Sequence, residues 1–319
     1  QPSGVAIAEI GLDYPYTFSP RATQREVFAK QIDLAIGRDL PIVIHSREAE
    51  ADTLAIVEEK VRKHPSWRAA GSADHDRFPS PKGVFHCFPG DAAMARKVIG
   101  WGFYVSLPGP LTFGSKPAKP NLMVEVASAI SAEHLLLETD SPYLSPVPHR
   151  GKRNEPSHLP LIARKLAELQ HISVEDVART TSFGALKLFG VGTYPEPVIA
   201  YRLNDALYLN ITLRCNADCV FCDRKGEAII KGHNLRIARE PSTEEIIRAI
   251  GDPARYAEIV FCGYGEPTIR VDVIREVSQW VKRSGGKVRV NTDGHGNVIN
   301  HRNILPELVG LVDAFSISL

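Results

Sequence analysis

The chain has 319 residues, 44% hydrophobic and 24% charged, with a formal net charge of +1. That is ordinary composition for soluble globular protein, and at roughly 150 residues per domain the length suggests two domains. Residues 1–204 carry 23 Lys+Arg against 22 Asp+Glu, and residues 205–319 carry 15 against 15, which excludes a module that holds nucleic acid by bulk positive charge. A nucleic-acid substrate stays open, because a divalent ion and a few local basic side chains can hold one phosphodiester.

No apolar run approaches the roughly 18 residues of a membrane span, and no charged segment followed by an apolar one marks a leader. The chain therefore reads as cytoplasmic, with no membrane partner. Five cysteines (Cys87, Cys215, Cys219, Cys222, Cys262) include three within eight positions, a pattern that fits metal or cluster binding better than disulfides. Gln1 in first place, a strand pattern starting at Val5 and another running out at Leu319 suggest a piece of a longer protein.

In chain order, short apolar runs at Val5–Gly11, Leu40–His45, Gly83–Cys87, Phe103–Leu107 and Leu135–Asp140 predict buried parallel strands. Amphipathic helices lie between them: Phe28, Ile32, Ala35 and Ile36 share one face, and Leu54, Val57 and Val61 share another. A further helix is expected near Asn121 to Ile130. A loop rich in proline and charge follows (Ser141 to Pro156), then helices at Ser157 to Gln170 and Ser173 to Phe189, the second opened by a capping-box spacing of Ser173 and Asp176. Strand–helix alternation argues a parallel α/β architecture. Gly190 to Pro197 has two glycines, two prolines and no periodicity, so the boundary between domains belongs there: 1–192 as the first domain, 193–204 as linker, 205–319 as the second. A new series begins with strands at Ala206–Leu213, Glu258–Cys262, Lys287–Asn291 and Ala314–Leu319 and helices at Ser242 to Ile250 and Asp272 to Ser284.

Four of the first five strands carry a metal-competent side chain: Glu9, His45, His86 and Asp140. Parallel strands in a barrel direct their C-termini to one face, so these residues would converge there. Two imidazoles and two carboxylates make a first shell for Zn²⁺ or Mn²⁺, with Glu able to bridge two ions. A lone histidine at a strand end is more often a hydrogen-bonded core residue; four such side chains at equivalent places bring a metal site level with that plain reading.

The segments EIGLDY, LPIVIHSREA, FHCFPG and LLETDSPYLSPVPHRGKRNEP resemble, in order and spacing, the TatD family of metal-dependent hydrolases over residues 1 to about 190. The resemblance implies an amidohydrolase-like (β/α)₈ barrel, two divalent ions (Zn, Mn or Mg) and hydrolysis of DNA phosphodiesters. It implies that Glu9 bridges the ions and that His45 and His86 hold one of them. Asp140 is implied to bind the other and to orient or deprotonate the attacking water. The family's first strand carries a His-x-His pair that this sequence lacks, and the five strands correspond to the fourth through eighth of the barrel. The first three strands are thus missing, and the fragment by itself is expected to be inactive as a nuclease. Arg47, beside His45, and Arg150, Lys152 and Arg153, in the loop after the last strand, are candidates for substrate phosphate contacts; a solvated charged loop is the plain alternative. Cys87 reads as packing.

LNITLRCNADCVFCDR places Cys215, Cys219 and Cys222 as C-x₃-C-x₂-C after an alternating strand. Spacing leaves two centres open: a zinc site completed by Cys262 or His233, or a [4Fe–4S] cluster held by three cysteines with one iron free. The motif, with Phe221 before its third cysteine, resembles the radical SAM superfamily, as do EIVFCGYGEPT on the next strand and VRVNTDGHGN on the one after it. That resemblance implies a partial (β/α)₆ barrel of about four strands, lacking the last ones. It implies a [4Fe–4S] cluster on the three cysteines and S-adenosyl-L-methionine chelating the free iron. Gly263, Gly265 and Glu266 would hold the methionine amino end, with Asn291 on the nucleoside or carboxylate. An electron donor and an unknown substrate are the implied partners.

Together the halves resemble TatD-linked radical SAM proteins. The reading is a bifunctional enzyme: a metal-dependent phosphodiesterase, taking a nucleic-acid or other phosphodiester substrate, joined to a radical SAM enzyme. The alternative is a degenerate, non-catalytic barrel serving the radical SAM domain as scaffold or binding module.

Overall fold

The computed structural model of the chain describes residues 4–16, 18–64, 82–115, 120–220 and 222–318. They fall into two compact units, residues 1–194 and 195–319.

The first unit is a five-stranded sheet, parallel throughout, in sequential order: β1 (Ile7–Asp13), β2 (Ile42–Arg47), β3 (Gly83–Phe85), β4 (Phe103–Leu107) and β5 (Leu135–Leu137). Helices α1 (Arg21–Gly37), α2 (Glu50–Lys63), α3 (Ala92–Gly100) and α4 (Leu122–Ala129) connect the strands, and α5 (Leu159–Gln170) and α6 (Val174–Phe189) follow. Successive side chains on a strand point to opposite faces, and the two faces meet different partners. Ile42, Ile44, Phe85, Val105 and Leu135 pack under Phe28 and Ile32 of α1, Val57 of α2, Val98 of α3 and Ile162 of α5; full burial of each such side chain is worth about 1.5–3 kcal/mol. Val43, Val84, Tyr104 and Leu136 form a second layer with Ala185, Leu188 and Phe189 of α6. By the same parity, His45, His86, Ser106 and Glu138 belong to this second face, at the C-terminal ends of the strands.

Three differences from the sequence pattern matter for the site. Strand β1 runs to Asp13 instead of Gly11, and its pairing with β2 shifts between Ile7 and Ile10. Three steps on β1 match two on β2 (Ile7↔Ile42, Ile10↔Ile44), so one extra residue lets Ile7 and Ile10 both pack toward the helices while Glu9 turns to the other face. Strands β3 and β5 stop at Phe85 and Leu137, which places His86 and Asp140 just beyond the ladder. Helix α3, not singled out from sequence, is opened by Asp91, whose side chain accepts from Met94 N.

The second unit is a five-stranded sheet of order β12-β11-β10-β7-β6. Its parallel part is β7 (Ala206–Leu209), β10 (Ile259–Phe261), β11 (Val288–Thr292) and β12 (Ala314–Ile317). The stretch expected to be linker, 193–204, contains strand β6 (Ala200–Leu203), antiparallel to β7 through a tight turn at Asn204, φ 56°. Arg202 interrupts its apolar run, which lies directly after GVGTYPEP. A small hairpin, β8 (Ile229–Ile230) and β9 (His233–Asn234), lies after the cysteine loop. Helices α7 (Thr243–Ile250) and α8 (Val271–Arg283) cover the sheet, with Ile246, Ile250, Ile274, Val277 and Val281 against Leu207, Leu209, Ile259, Phe261 and Val290. No helix among the described residues is long and apolar enough to cross a membrane.

Candidate functional site

Glu9, His45 and His86 come together from three neighbouring strands. One carboxylate oxygen, Glu9 Oε1, lies 3.1 Å from His45 Nδ1 and 3.1 Å from His86 Nε2. Among the described residues this is the one group of three or more potential ligands whose donor atoms all lie within 4.8 Å of one another. Two imidazole nitrogens and a carboxylate oxygen at that spacing are a donor set suited to Zn²⁺ or Mn²⁺. Asp140, the fourth residue expected there, adopts a left-handed backbone (φ 56°) beyond β5 and brings Oδ1 to 3.9 Å from His86 Nε2. It borders the trio without joining it.

Each imidazole is held from behind by a further carboxylate. Glu138 Oε2 accepts from His86 Nδ1 at 2.9 Å and from the Ser106 hydroxyl, while Oε1 accepts from Cys87 N at 2.6 Å. Asp13 Oδ2 lies 3.1 Å from His45 Nε2. Carboxylates behind the imidazoles fix ring orientation and tautomer in metal sites. Sequence reasoning passed over both. The available signal was parity: Glu138 stands two residues before Asp140 and two after the inward-facing Leu136, and Asp13 lies two after Gly11 on the face of Glu9. Beneath Ser106 and Glu138 a cavity of about 250 Å³, lined also by Val43, Val84 and Leu136, separates the site from α6.

The acids govern the local proton affinities. Burial works against the imidazolium of His86, yet the Glu138 hydrogen bond and the charges of Glu138, Glu9 and Asp140 push its pKa up to about 9. Burial, with the charges of Glu138 and Glu9, also raises the Asp140 carboxyl. The Cys87 thiol is driven up to about 12 by burial and the surrounding acids, so it stays protonated and inert.

The basic candidates are dispersed. Arg47 ends β2 with its guanidinium 4.9 Å over the Tyr16 ring, and Arg150 lies 4.3 Å over Phe113. Lys152 and Arg153 are exposed in the loop after β5. Among the described residues no hydrogen bond or ion pair joins Arg150, Lys152 or Arg153 to the four acid and imidazole side chains. The loop is pinned by buried Asn154, whose Nδ2 donates to Thr139 O (2.6 Å) and Tyr143 O (2.7 Å).

In the second unit, Cys215, Cys219 and Cys222 lie partly buried in the loop after β7. Cys222 N donates to Cys219 O at 3.0 Å, and the Arg224 guanidinium donates to Cys215 O (3.3 Å) and Ala217 O (3.2 Å), tying the loop to itself. The residues weighed as a fourth zinc ligand lie in these surroundings. Cys262 is buried and hydrogen-bonded to Asn291, and the His233 ring is 5.3 Å from that of Tyr201. Phe221 lies outside the described residues.

Gly263, Gly265 and Glu266 form the turn after β10. A Cβ on Gly265 would stand 2.2 Å from Thr212 O, and one on Gly263 would stand 2.5 Å from Asn210 Oδ1. Here glycine permits close passage of two backbone segments. Glu266 is 2% exposed. Its oxygens accept from Thr268 N (2.9 Å), the Thr268 hydroxyl, Thr292 Oγ1 (2.8 Å) and Asp293 N (2.8 Å). It therefore braces the β10 turn against the end of β11. The neighbouring Asp293 keeps Oδ2 buried without a hydrogen-bond partner. Asn291 accepts from Arg289 Nη1 at 2.8 Å.

Residues 1–190 match the profile of TatD-related DNases. The chain belongs to that family. Residues 209–319 match the radical SAM superfamily, so a TatD-related domain with a parallel α/β fold precedes a radical SAM domain. Among curated relatives, the metal-dependent hydrolase YabD of Bacillus subtilis is 41% identical over 187 residues, covering 59% of this chain and 66% of its own length. The metal-dependent hydrolase YcfH of Escherichia coli is 38% identical, covering 59% and 63%. The 3′-5′ ssDNA/RNA exonuclease TatD of E. coli is 30% identical, covering 60% and 68%. The chain thus spans a little under two thirds of the length of the first two. A crystal structure of the E. coli TatD homologue YjjV superposes with a TM-score of 0.48 at 24% identity, covering 59% of this chain and 64% of that one.

Proposed function

We propose that the TatD-related domain is a divalent-metal-dependent phosphodiesterase acting on nucleic acid, joined to a radical SAM enzyme. The observation that carries the first half is Glu9 Oε1 standing between His45 Nδ1 and His86 Nε2. Glu9, His45 and His86 would hold the ion, which when bound supplies Lewis acidity toward a phosphoryl oxygen. Glu138 and Asp13 keep the two rings aimed. Asp140, outside the trio and with a raised pKa, is the group placed to hold and take a proton from the attacking water. The E. coli relative described as an exonuclease on single-stranded DNA and RNA supports nucleic acid as the substrate class.

In the second half, Cys215, Cys219 and Cys222 would hold a [4Fe–4S] cluster that, with S-adenosylmethionine bound, supplies one-electron cleavage of a carbon–sulfur bond. An electron donor and a separate substrate complete that reaction. The match of residues 209–319 to the radical SAM superfamily supports a cluster over a zinc ion.

The test of the metal site is a Mn²⁺ titration of the chain, followed by incubation with an end-labelled single-stranded oligonucleotide. His86→Ala should lose the ion, while Asp140→Asn should keep it and abolish any cleavage that loading produces. Unchanged ion binding in both His45→Ala and His86→Ala would overturn the site. For the second domain, anaerobic reconstitution should give a brown protein; stoichiometric zinc without visible absorption would end the cluster reading.

A further inference from the structure

Two aromatic rings stand out from the first unit beside the metal-competent trio. Tyr16 and Phe18, between β1 and α1, stack with centroids 5.7 Å apart and planes within 12°. Tyr16 is 49% exposed and Phe18 94%, so folding gains little from the second ring. Single exposed apolar residues are commonplace. A stacked pair with a guanidinium over it is a more specific arrangement, and the Arg47 guanidinium lies 4.9 Å from the Tyr16 centroid.

The position of this group is set by the strands. Arg47 pairs in register with Asp13, and Tyr14 N donates to Arg47 O at 3.1 Å. Asp13 is the side chain that holds His45, and Arg47 follows His45 by two residues, so the aromatic pair and its cation sit at the strand ends beside the trio. Two more arginines lie there at the start of α1: Arg21, 4.3 Å over the Tyr14 ring, and Arg25, 3.5 Å from Asp52. The chain's net charge is near zero, yet this rim combines positive charge with open ring faces.

We propose that Tyr16, Phe18 and Arg47 form a stacking platform for an unpaired nucleobase, which seats a single-stranded nucleic acid with its backbone beside Glu9, His45 and His86. Every base presents a π-face, so stacking on Phe18 is indifferent to sequence, and the Arg47 guanidinium supplies the charge that an adjacent phosphate requires. Bases inside a duplex have no free face to offer, so the platform selects single strands. The inference rests on the phosphodiesterase reading and deepens it by naming the side chains that would seat a base of its substrate; the binding step requires no hydrolysis.

The experiment is fluorescence anisotropy with the whole chain in a chelator, so that no cleavage intervenes. Two labelled strands of equal length and charge are compared, one bearing bases and one abasic. Phe18→Ala and Tyr16→Ala should each weaken binding of the base-bearing strand roughly tenfold and leave the abasic strand unchanged, while Phe18→Trp restores the affinity. Arg47→Gln should weaken both. Phe18 is so exposed that its replacement leaves the fold alone, and circular dichroism together with the Mn²⁺ titration checks this. Phe18→Ala and Tyr16→Ala variants that bind both strands as the wild type does, or that lose affinity equally for both, overturn the platform, including the case in which these rings instead serve a protein partner. Base-dependent loss together with unchanged Mn²⁺ binding in both His45→Ala and His86→Ala would keep the platform and remove the hydrolase reading.

Discussion

Glu138 accepts the Nδ1–H of His86 at 2.9 Å, which leaves Nε2 facing Glu9 Oε1 at 3.1 Å. The same carboxylate takes the Ser106 hydroxyl and Cys87 N, so β4, β5 and the end of β3 are tied together behind one ring. Glu138 is a positioning residue: it would act on an ion only through His86. Glu138→Gln keeps the volume and weakens the orienting bond, and outer-shell changes of this type cost about 10–100-fold in metal affinity. Calorimetric Mn²⁺ titration should show that loss without a change in stoichiometry. An affinity equal to wild type would show that the ring is held by packing alone.

Glu266, which the radical SAM resemblance puts at the methionine amino end, is also bound by the protein itself. A carboxylate with four protein donors, 2% exposed, is a strut between the β10 turn and β11. Removing it strands buried donors, each costing about 1–3 kcal/mol. Glu266→Ala should therefore lower stability by roughly 3 kcal/mol, read as a fall in the urea midpoint of the second transition. If Glu266 served only a ligand's amino group, the midpoint would hold and only S-adenosylmethionine binding would fall.

The contrast shows what a linear pattern carries. Apolar runs located the parallel strands of both sheets among the described residues: β3, β4 and β10 are buried along their whole length and leave a continuous hydrophobic signature, while β11 and β12 show alternation instead. The trio of Glu9, His45 and His86 was legible for the same reason, each being a polar residue on or just past such a run. Glu138 and Asp13 were not, since a carboxylate behind a histidine is defined by contacts across strands 52 and 32 residues apart in sequence. The bulge that turns Glu9 inward depends on pairing register, which no single strand encodes. Strand β6 was hidden because Arg202 interrupts its apolar run directly after GVGTYPEP.

The start of α7 predicts a response to acid. Ser242 and Glu245 form a complete capping box, and Arg239 grips the Glu245 carboxylate, with Nη1 at 2.8 Å from Oε2. The Arg239 hydrogen bond, then that from Ser242 N, hold the Glu245 pKa down at about 2 from an ordinary 4.5. A group whose folded pKa is depressed contributes stability that is complete above its unfolded value and is lost as pH falls through the folded one. The contribution is thus present at neutral pH and fades between 4.5 and about 2. Glu245→Gln should lower the unfolding midpoint near neutrality and narrow its gap from wild type at roughly pH 3. A gap of constant size would mean that the charge of Glu245 does nothing for the cap.

Gly265 links the β10 turn to the cysteine loop. Its Cα passes so close to the segment before Cys215 that a Cβ would lie 2.2 Å from Thr212 O and 2.8 Å from Arg214 O, and Glu266 N donates to Arg214 O at 2.9 Å. Backbone carbonyls cannot swing aside as a side chain can, so Gly265→Ala must displace residues 212–214 and with them the approach to Cys215. At Gly263 the nearest atom is the side-chain oxygen of Asn210 at 2.5 Å, which leaves more room to adjust. The expected outcome is a marked loss of iron per chain after anaerobic reconstitution of Gly265→Ala, and a smaller loss for Gly263→Ala. Overpacking of this type also costs about 1–3 kcal/mol, so the melting curve should fall in the same order. Full iron loading of Gly265→Ala would show that the cysteine loop is positioned independently of the turn against which it packs.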